Sequence, residues 1–262
     1  MTLIIGIKCS DGVVLGADGA ATFGSMGRET IRQPVTRKLE ILAGCIVVGV
    51  SGPAGLGQRF RGEIETLWNN REFSANGSVP IKSYQAMAII RQALHPHLAM
   101  EFEAARVAQP VVGHQAAARS SLTSMLVAMP LGHVPILLQF DHQGAPEELT
   151  EDLPFVTIGS GQSNADPFLA FVRRIFWPKR LPTVDEATFT TLWTLNQAIE
   201  TAPAHIGDPK QIVVLEKLGT QCHARELAPA DLEEHLVAIG EAESALARFK
   251  EGAVKIQTPP EP

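Results

Sequence analysis

The chain lacks the features that would send it to a membrane or to nucleic acid. No apolar run approaches the ~20 residues needed to span a bilayer, and the N-terminus carries no signal-peptide pattern. Basic residues are outnumbered: 22 Lys and Arg against 28 Asp and Glu leave a net charge of −6. That balance argues against the basic surface that nucleic acid or anionic lipid requires. Cysteine is scarce, and Cys9, Cys45 and Cys222 are odd in number and far apart. Two of them fall in apolar, strand-like runs and read as buried reduced thiols. Reduced thiols without an export signal predict a cytoplasmic protein. Internal repeats are absent, as is any linker rich in Pro, Gly and Ser. One domain is therefore expected over residues 1–250, with residues 251–262 a disordered tail.

Apolar residues, by contrast, are abundant. Of the 262 residues 45% are hydrophobic and only 19% charged, enough for a full buried core. Residues 3–7 and Val13–Ala17 flank Ser10-Asp11-Gly12 and read as a hairpin, since Asp-Gly favours a tight turn. Leu39–Leu42 and Cys45–Val50 form a second hairpin around Ala43-Gly44. Their successive apolar residues imply strands covered on both faces. A helix follows to about Trp68, then a longer one from near Ser83 that Pro96 would kink. Strands are expected at Leu122–Met129, Val134–Phe140 and Phe155–Ile158, helices at Asp166–Phe176 and Val184–Ala202, a hairpin over 211–227 and a helix from Asp231 to about Lys250. The α+β solution that covers every apolar face is a four-layer αββα sandwich.

Several motifs carry little. His95-Pro96-His97 is the one close histidine pair, and no carboxylate lies at ligand spacing, so no metal site is expected. Gly52-Pro-Ala-Gly-Leu-Gly57 lacks the Gly-Lys-Ser/Thr ending of a phosphate loop. Glu147, Glu148, Glu151 and Asp152 read as a solvated acidic loop. Phe168, Leu169, Val172 and Phe176 read as core or subunit contact. No cofactor is implied.

Thr2 carries more. A threonine left at the terminus by methionine removal holds its nucleophile and its base in one residue, because its own α-amine can take the hydroxyl proton. That amine titrates at about 7.7–8.0 when unperturbed, close to working pH. No longer propeptide is expected. With Asp11-Gly12 as the first turn, counting outward brings Thr2 opposite Ala21, beside Ala20 and Thr22. With Ala43-Gly44 as the second, Lys38 arrives opposite Gly49. A charged Lys38 near Thr2 would lower the pKa of the hydroxyl and the amine, Asp18 could hold that lysine, and the Gly49 N–H suits an oxyanion.

The same residues resemble the proteasome β-type family. Thr2 to Lys8, then Asp11 to Gly24 with Asp18-Gly-Ala-Ala-Thr22, looks like the start of a mature β subunit and is closest to HslV-type bacterial peptidases. Arg37-Lys38-Leu39, Val48-Gly49-Val50-Ser51-Gly52 and Ile158-Gly159-Ser160-Gly161 match three further stations. The resemblance implies N-terminal threonine proteolysis by Thr2, Asp18, Lys38 and Ser160. Gly49, Thr22, Ala21 and Val47 would form the oxyanion and substrate-binding edge. It also implies peptide or unfolded-protein substrates and a homo-oligomeric double ring, with room for an ATP-dependent unfoldase. Three departures fit the betaproteobacterial proteasome homologues better than HslV itself: an inserted loop from Ser25 to Thr36, a segment 204–209 without Asp-x-x-Ser, and a longer C-terminus. Two alternatives share the fold, a small-amide N-terminal nucleophile amidohydrolase and a non-catalytic structural ring subunit.

Overall fold

Runs of aliphatic and β-branched residues set the strands, and the side chains on alternate positions decide which layer each strand face joins. The computed structural model describes residues 2–25, 28–33, 37–75, 79–113, 122–202 and 206–253. Strands β1 (Ile4–Lys8), β2 (Gly12–Ala17), β3 (Ala21–Ser25), β4 (Arg28–Gln33), β5 (Leu39–Leu42) and β6 (Ile46–Ser51) open the chain. Helix α1 (Ala54–Asn69), the short pair β7 (Ser74–Ala75) and β8 (Val79–Pro80), and helix α2 (Ser83–Val112) follow. Then come β9 (Ser124–Leu131), β10 (Val134–Phe140), β11 (Pro146–Glu148) and β12 (Phe155–Ile158). Helices α3 (Gln162–Phe176) and α4 (Val184–Thr201), strands β13 (Gln211–Leu218) and β14 (Gln221–Glu226), and helix α5 (Pro229–Ala253) complete the described chain. Of the tail expected over residues 251–262, residues 251–253 close α5 and the rest lies outside the described residues.

Two antiparallel five-stranded sheets result, ordered β12-β1-β2-β13-β14 and β11-β10-β9-β6-β5. Alternation divides the core into three layers. Ile4, Val13, Leu15 and Val213 meet Val47, Leu126, Ala128 and Leu137 between the sheets. Ile5, Ile7, Val14 and Ile212 turn outward onto Leu169, Leu192, Leu195 and Ile239 of α3, α4 and α5. Val48, Met125 and Val127 turn the other way onto Phe60, Ile64, Ile90 and Leu94 of α1 and α2. The expected αββα layering therefore holds. Helix α4 starts at a capping box: Glu186 N donates to Thr183 Oγ1 and Thr183 N to Glu186 Oε2. Three of its buried threonines donate to the preceding turn, Thr188 Oγ1 to Val184 O, Thr190 Oγ1 to Glu186 O and Thr194 Oγ1 to Thr190 O. Gly16 lets this helix approach β2, since a Cβ there would stand 2.2 Å from Thr191 Cγ2.

Both hairpin registers differ from the expected ones. In the first, Lys8 faces Val13 and Ile4 faces Ala17, with Cys9 N donating to Gly12 O at 2.9 Å. The turn is centred on Ser10-Asp11, because Gly12 is needed inside the strand, where a Cβ would lie 2.5 Å from Leu215 O. Continued outward, the pairing sets Thr2 opposite Gly19 rather than Ala21. The shift is two residues, so every side chain keeps its face. In the second hairpin Leu42 faces Ile46. Ala43 (φ 50°) and Gly44 (φ 70°) both take left-handed conformations, and Cys45 joins them in a three-residue loop. Leu39, not Lys38, therefore faces Gly49.

The inserted segment is not simply a loop: β3 and β4 pair as a hairpin with an irregularity at Phe23/Gly24. Glu147 and Glu148, read as loop, pair with Gln139 and Leu138 in β11. Strand β9 begins two residues later than expected and runs to Leu131. Helix α2 continues through Pro96 to Val112. All three cysteines are free, Cys9 buried and the other two half-buried. No helix of the described residues is long and apolar enough to cross a membrane.

Candidate active site

At one end of the two sheets, the start of β1 is enclosed by three loops. Gly159, Ser160 and Gly161, between β12 and α3, wrap around Thr2 and Leu3. The Thr2 backbone nitrogen donates to Ser160 Oγ at 3.2 Å, and Gly161 N donates to Thr2 O at 3.1 Å. Both glycines are required by space. A Cβ on Gly159 would stand 2.2 Å from Thr2 O, and Gly159 has φ +100° besides. A Cβ on Gly161 would meet Leu3 Cβ at 2.9 Å.

Asp18, just past β2, is fully buried and is the hub of the site. Its Oδ1 accepts from Leu3 N at 2.8 Å and from Lys38 Nζ at 2.5 Å. Its Oδ2 accepts from Ala20 N at 3.2 Å and Gly207 N at 3.3 Å. A buried carboxylate is tolerated only with such partners. Lys38 is itself nearly enclosed, its side chain 6% exposed. Burial pulls its ammonium below the ordinary lysine value, and the charge of Asp18 and its hydrogen bond offset this in part. The backbone at Lys38 is fixed by Gln211 on β13, whose Oε1 accepts from Lys38 N and Leu39 N while Nε2 donates to Leu39 O.

The structure thus joins Thr2 to Ser160, and Lys38 through Asp18 to Leu3, the residue after Thr2. Ala21 and Thr22 begin β3, directly after the turn that Asp18 holds, and their backbones pair with Gln33 and Arg32. Gly49 lies in β6 over β1. A Cβ there would press on Leu39 Cδ2 at 2.8 Å and Ile4 Cγ2 at 3.1 Å, so close packing of the sheets is sufficient reason for a glycine. Val47 is not brought to the surface of the site. It is fully buried in the inter-sheet core, because it shares the inward face of β6 one step deeper than Gly49.

Sequence reasoning missed Gln211, Gly207 and Gly19. Gly19 N donates to Gly207 O at 2.8 Å, and a Cβ at Gly19 would collide with Pro209 O at 2.2 Å. Gln211 and Gly207 meet Lys38 and Asp18 only through the pairing of β2 with β13, a contact between segments almost 200 positions apart. No local spacing announces it.

Residues 2–100 match the family described as Proteasome, proteasome subunit. No curated protein sequence matches the chain. Solved structures do. Anbu (ancestral beta-subunit) from Yersinia bercovieri superposes with a TM-score of 0.64 at 15% identity, over 99% of each chain. An Anbu (Gly-1) mutant from Hyphomicrobium sp. strain MC1 gives 0.64 at 18%, over 99% of this chain and 100% of its own. The Anbu complex of Pseudomonas aeruginosa, described as a helical assembly, gives 0.64 at 16%, over 99% and 98%. The fold is therefore the proteasome-type N-terminal nucleophile fold.

Proposed function

We propose that the chain is a subunit of a self-assembling threonine peptidase, with Thr2 as its nucleophile. Methionine removal turns the Thr2 nitrogen into an α-amine already beside Ser160 Oγ. The observation that carries this reading is the buried Lys38–Asp18 pair, whose Oδ1 also holds the backbone of Leu3. A lysine charge buried at a chain terminus is costly, and a nucleophile that must ionise is the group that benefits.

The sequence of events follows from these roles. Thr2 Oγ attacks the substrate carbonyl carbon, and its proton passes to the α-amine. The Lys38 charge favours the ionised hydroxyl, and the Gly49 N–H is the candidate donor to the oxyanion. The amine then returns the proton to the departing peptide nitrogen, leaving an ester on Thr2. Water, deprotonated by the same amine, hydrolyses the ester and restores the enzyme. No metal or cofactor takes part in this scheme.

Assembly is the second component. The structural neighbours include an Anbu complex described as a helical assembly, which supports homo-oligomers for this chain. The form proposed for this chain is a closed homo-oligomeric double ring, which particle shape distinguishes from an open helical array. Peptide or unfolded-protein substrates, and an ATP-dependent unfoldase as partner, belong to the same proposal.

The test is peptide hydrolysis by purified wild-type and Thr2→Ala protein, with particle mass measured in parallel. The proposal expects a particle of many subunits in both and hydrolysis in the wild type alone. Equal hydrolysis by both would overturn it. A wild-type particle that cleaves a small amide and no peptide would favour the amidohydrolase alternative.

A further inference from the structure

Across from Thr2, on the other sheet, stands a hydroxyl that the scheme above leaves unused. Gly49 on β6 faces Ile4 on β1, since a Cβ on Gly49 would lie 3.1 Å from Ile4 Cγ2. Side chains alternate along a strand. The next inward-facing positions toward the open end are therefore Ser51 on β6 and Thr2 ahead of β1. The geometry of Gly159 agrees: a Cβ placed there would lie 2.2 Å from Thr2 O and 3.1 Å from Ser51 Oγ. The two oxygens thus face each other across a single glycine. Ser51 pairs directly with Ser124 of β9, so the rim of the second sheet carries two hydroxyls side by side, both half-buried.

An α-ammonium has three protons to place. Ser160 Oγ, at 3.2 Å from Thr2 N, accounts for one. Ser160 comes from the first sheet's own loop, and Ser51 stands on the other side of the gap, placed to supply a second acceptor. We propose that Ser51 is a positioning residue for the Thr2 amine. Its hydroxyl accepts a hydrogen bond from that amine, directly or through one water, and with Ser160 turns the nitrogen lone pair toward Thr2 Oγ. This deepens the proposed peptidase mechanism and rests on Thr2 being the chain terminus.

An acceptor favours the charged amine, so removing it lowers the amine pKa. The test compares full-length wild type, Ser51→Ala and Ser124→Ala. The rate at which an amine-specific acylating reagent labels the N-terminus is followed against pH by mass spectrometry of the terminal peptide. Ser51→Ala is expected to move the labelling midpoint down by about one pH unit, the size expected for one hydrogen bond to a charged group, while Ser124→Ala stays with the wild type. Peptide hydrolysis by Ser51→Ala should fall roughly tenfold in kcat with KM within twofold, because the lost contact positions the amine and does not bind substrate. An unchanged midpoint in Ser51→Ala overturns the inference, whatever the activity. Labelling on Met1 in the wild type overturns it together with the Thr2 mechanism. Labelling on Thr2 with no peptide cleaved by the wild type defeats the peptidase reading, while the midpoints still decide the role of Ser51.

Discussion

Asp18 and Lys38 form a buried ion pair at 2.5 Å, 6% and 0% exposed at their side chains for lysine and aspartate, and the same carboxylate oxygen binds Leu3 N. One atom therefore ties the lysine charge to the strand that begins at Thr2. Removing one member of a buried pair leaves the other unpaired at a cost of about 3–5 kcal/mol. Asp18→Ala should lower thermal stability strongly, and Asp18→Asn less, because the amide oxygen can still accept. A Tm for Asp18→Ala equal to that of the wild type would show that the pair carries no strain of burial.

The same pair makes a pH prediction. Burial sets the Lys38 pKa below the ordinary 10.5. The proposed mechanism uses a charged lysine, so it expects hydrolysis to decline as pH rises through that lowered value. Asp18→Asn removes the group that raises the pKa, so its alkaline limb should begin at lower pH. The sign for stability runs the other way. Between the folded value and 10.5 the unfolded chain binds more protons, so this residue's contribution to stability grows with pH across that window. Overlapping alkaline limbs in the two proteins would remove Lys38 from the mechanism.

Thr2→Ala and Lys38→Ala should each abolish hydrolysis to a similar degree, and the double variant should be no worse, since members of one catalytic unit are grossly non-additive. Thr2→Ala should leave the particle mass unchanged. Turnover within tenfold of wild type in either single variant would contradict the assigned roles.

Gly159→Ala places a methyl 2.2 Å from Thr2 O on a backbone at φ +100°. Activity should be lost, because the shift displaces Thr2 from Ser160. Gly55→Ala in α1 meets nothing within 4 Å and should be neutral or stabilising by about 0.5–1 kcal/mol. Parallel melting curves and peptide assays of the two variants check this contrast, and equal activities would refute it.

Gln211→Ala strips the amide that holds Lys38 N, Leu39 N and Leu39 O. Each buried group left unsatisfied costs about 1–3 kcal/mol, so the variant should be markedly destabilised. Amide hydrogen exchange at Leu39 should rise together with the loss of stability. Protection at Leu39 equal to that of the wild type would contradict the proposed anchoring.

Strand identity and layering were legible because consecutive aliphatics such as Ile4-Ile5 and Val13-Val14-Leu15 can be buried on both sides only inside such a sandwich. Register was less so. The Asp11-Gly12 signal pointed to a turn one position from its true centre, because Gly12 serves packing against Leu215 rather than the turn. Ala43 adopts a left-handed conformation that no sequence rule assigns to alanine. The gathering of Thr2, Asp18, Lys38 and Ser160 at one end of β1 was legible from residue types that are unusual for their places. Gln211 and Gly207 were not, since their purpose exists only once β13 lies beside β2. Val47 was misplaced because alternation along β6 buries it.

The central claim is that Thr2 is a terminal nucleophile, and one measurement tests it most directly. The purified protein is treated with an irreversible peptide epoxyketone, which closes a ring with both the hydroxyl and the amine of a terminal threonine. Intact mass and terminal-peptide mapping then locate the adduct. The result expected is a single adduct on Thr2 in a chain lacking Met1, absent from Thr2→Ala and greatly reduced in Lys38→Ala. Met1 retained in an active preparation, or an adduct on any other residue, would contradict it.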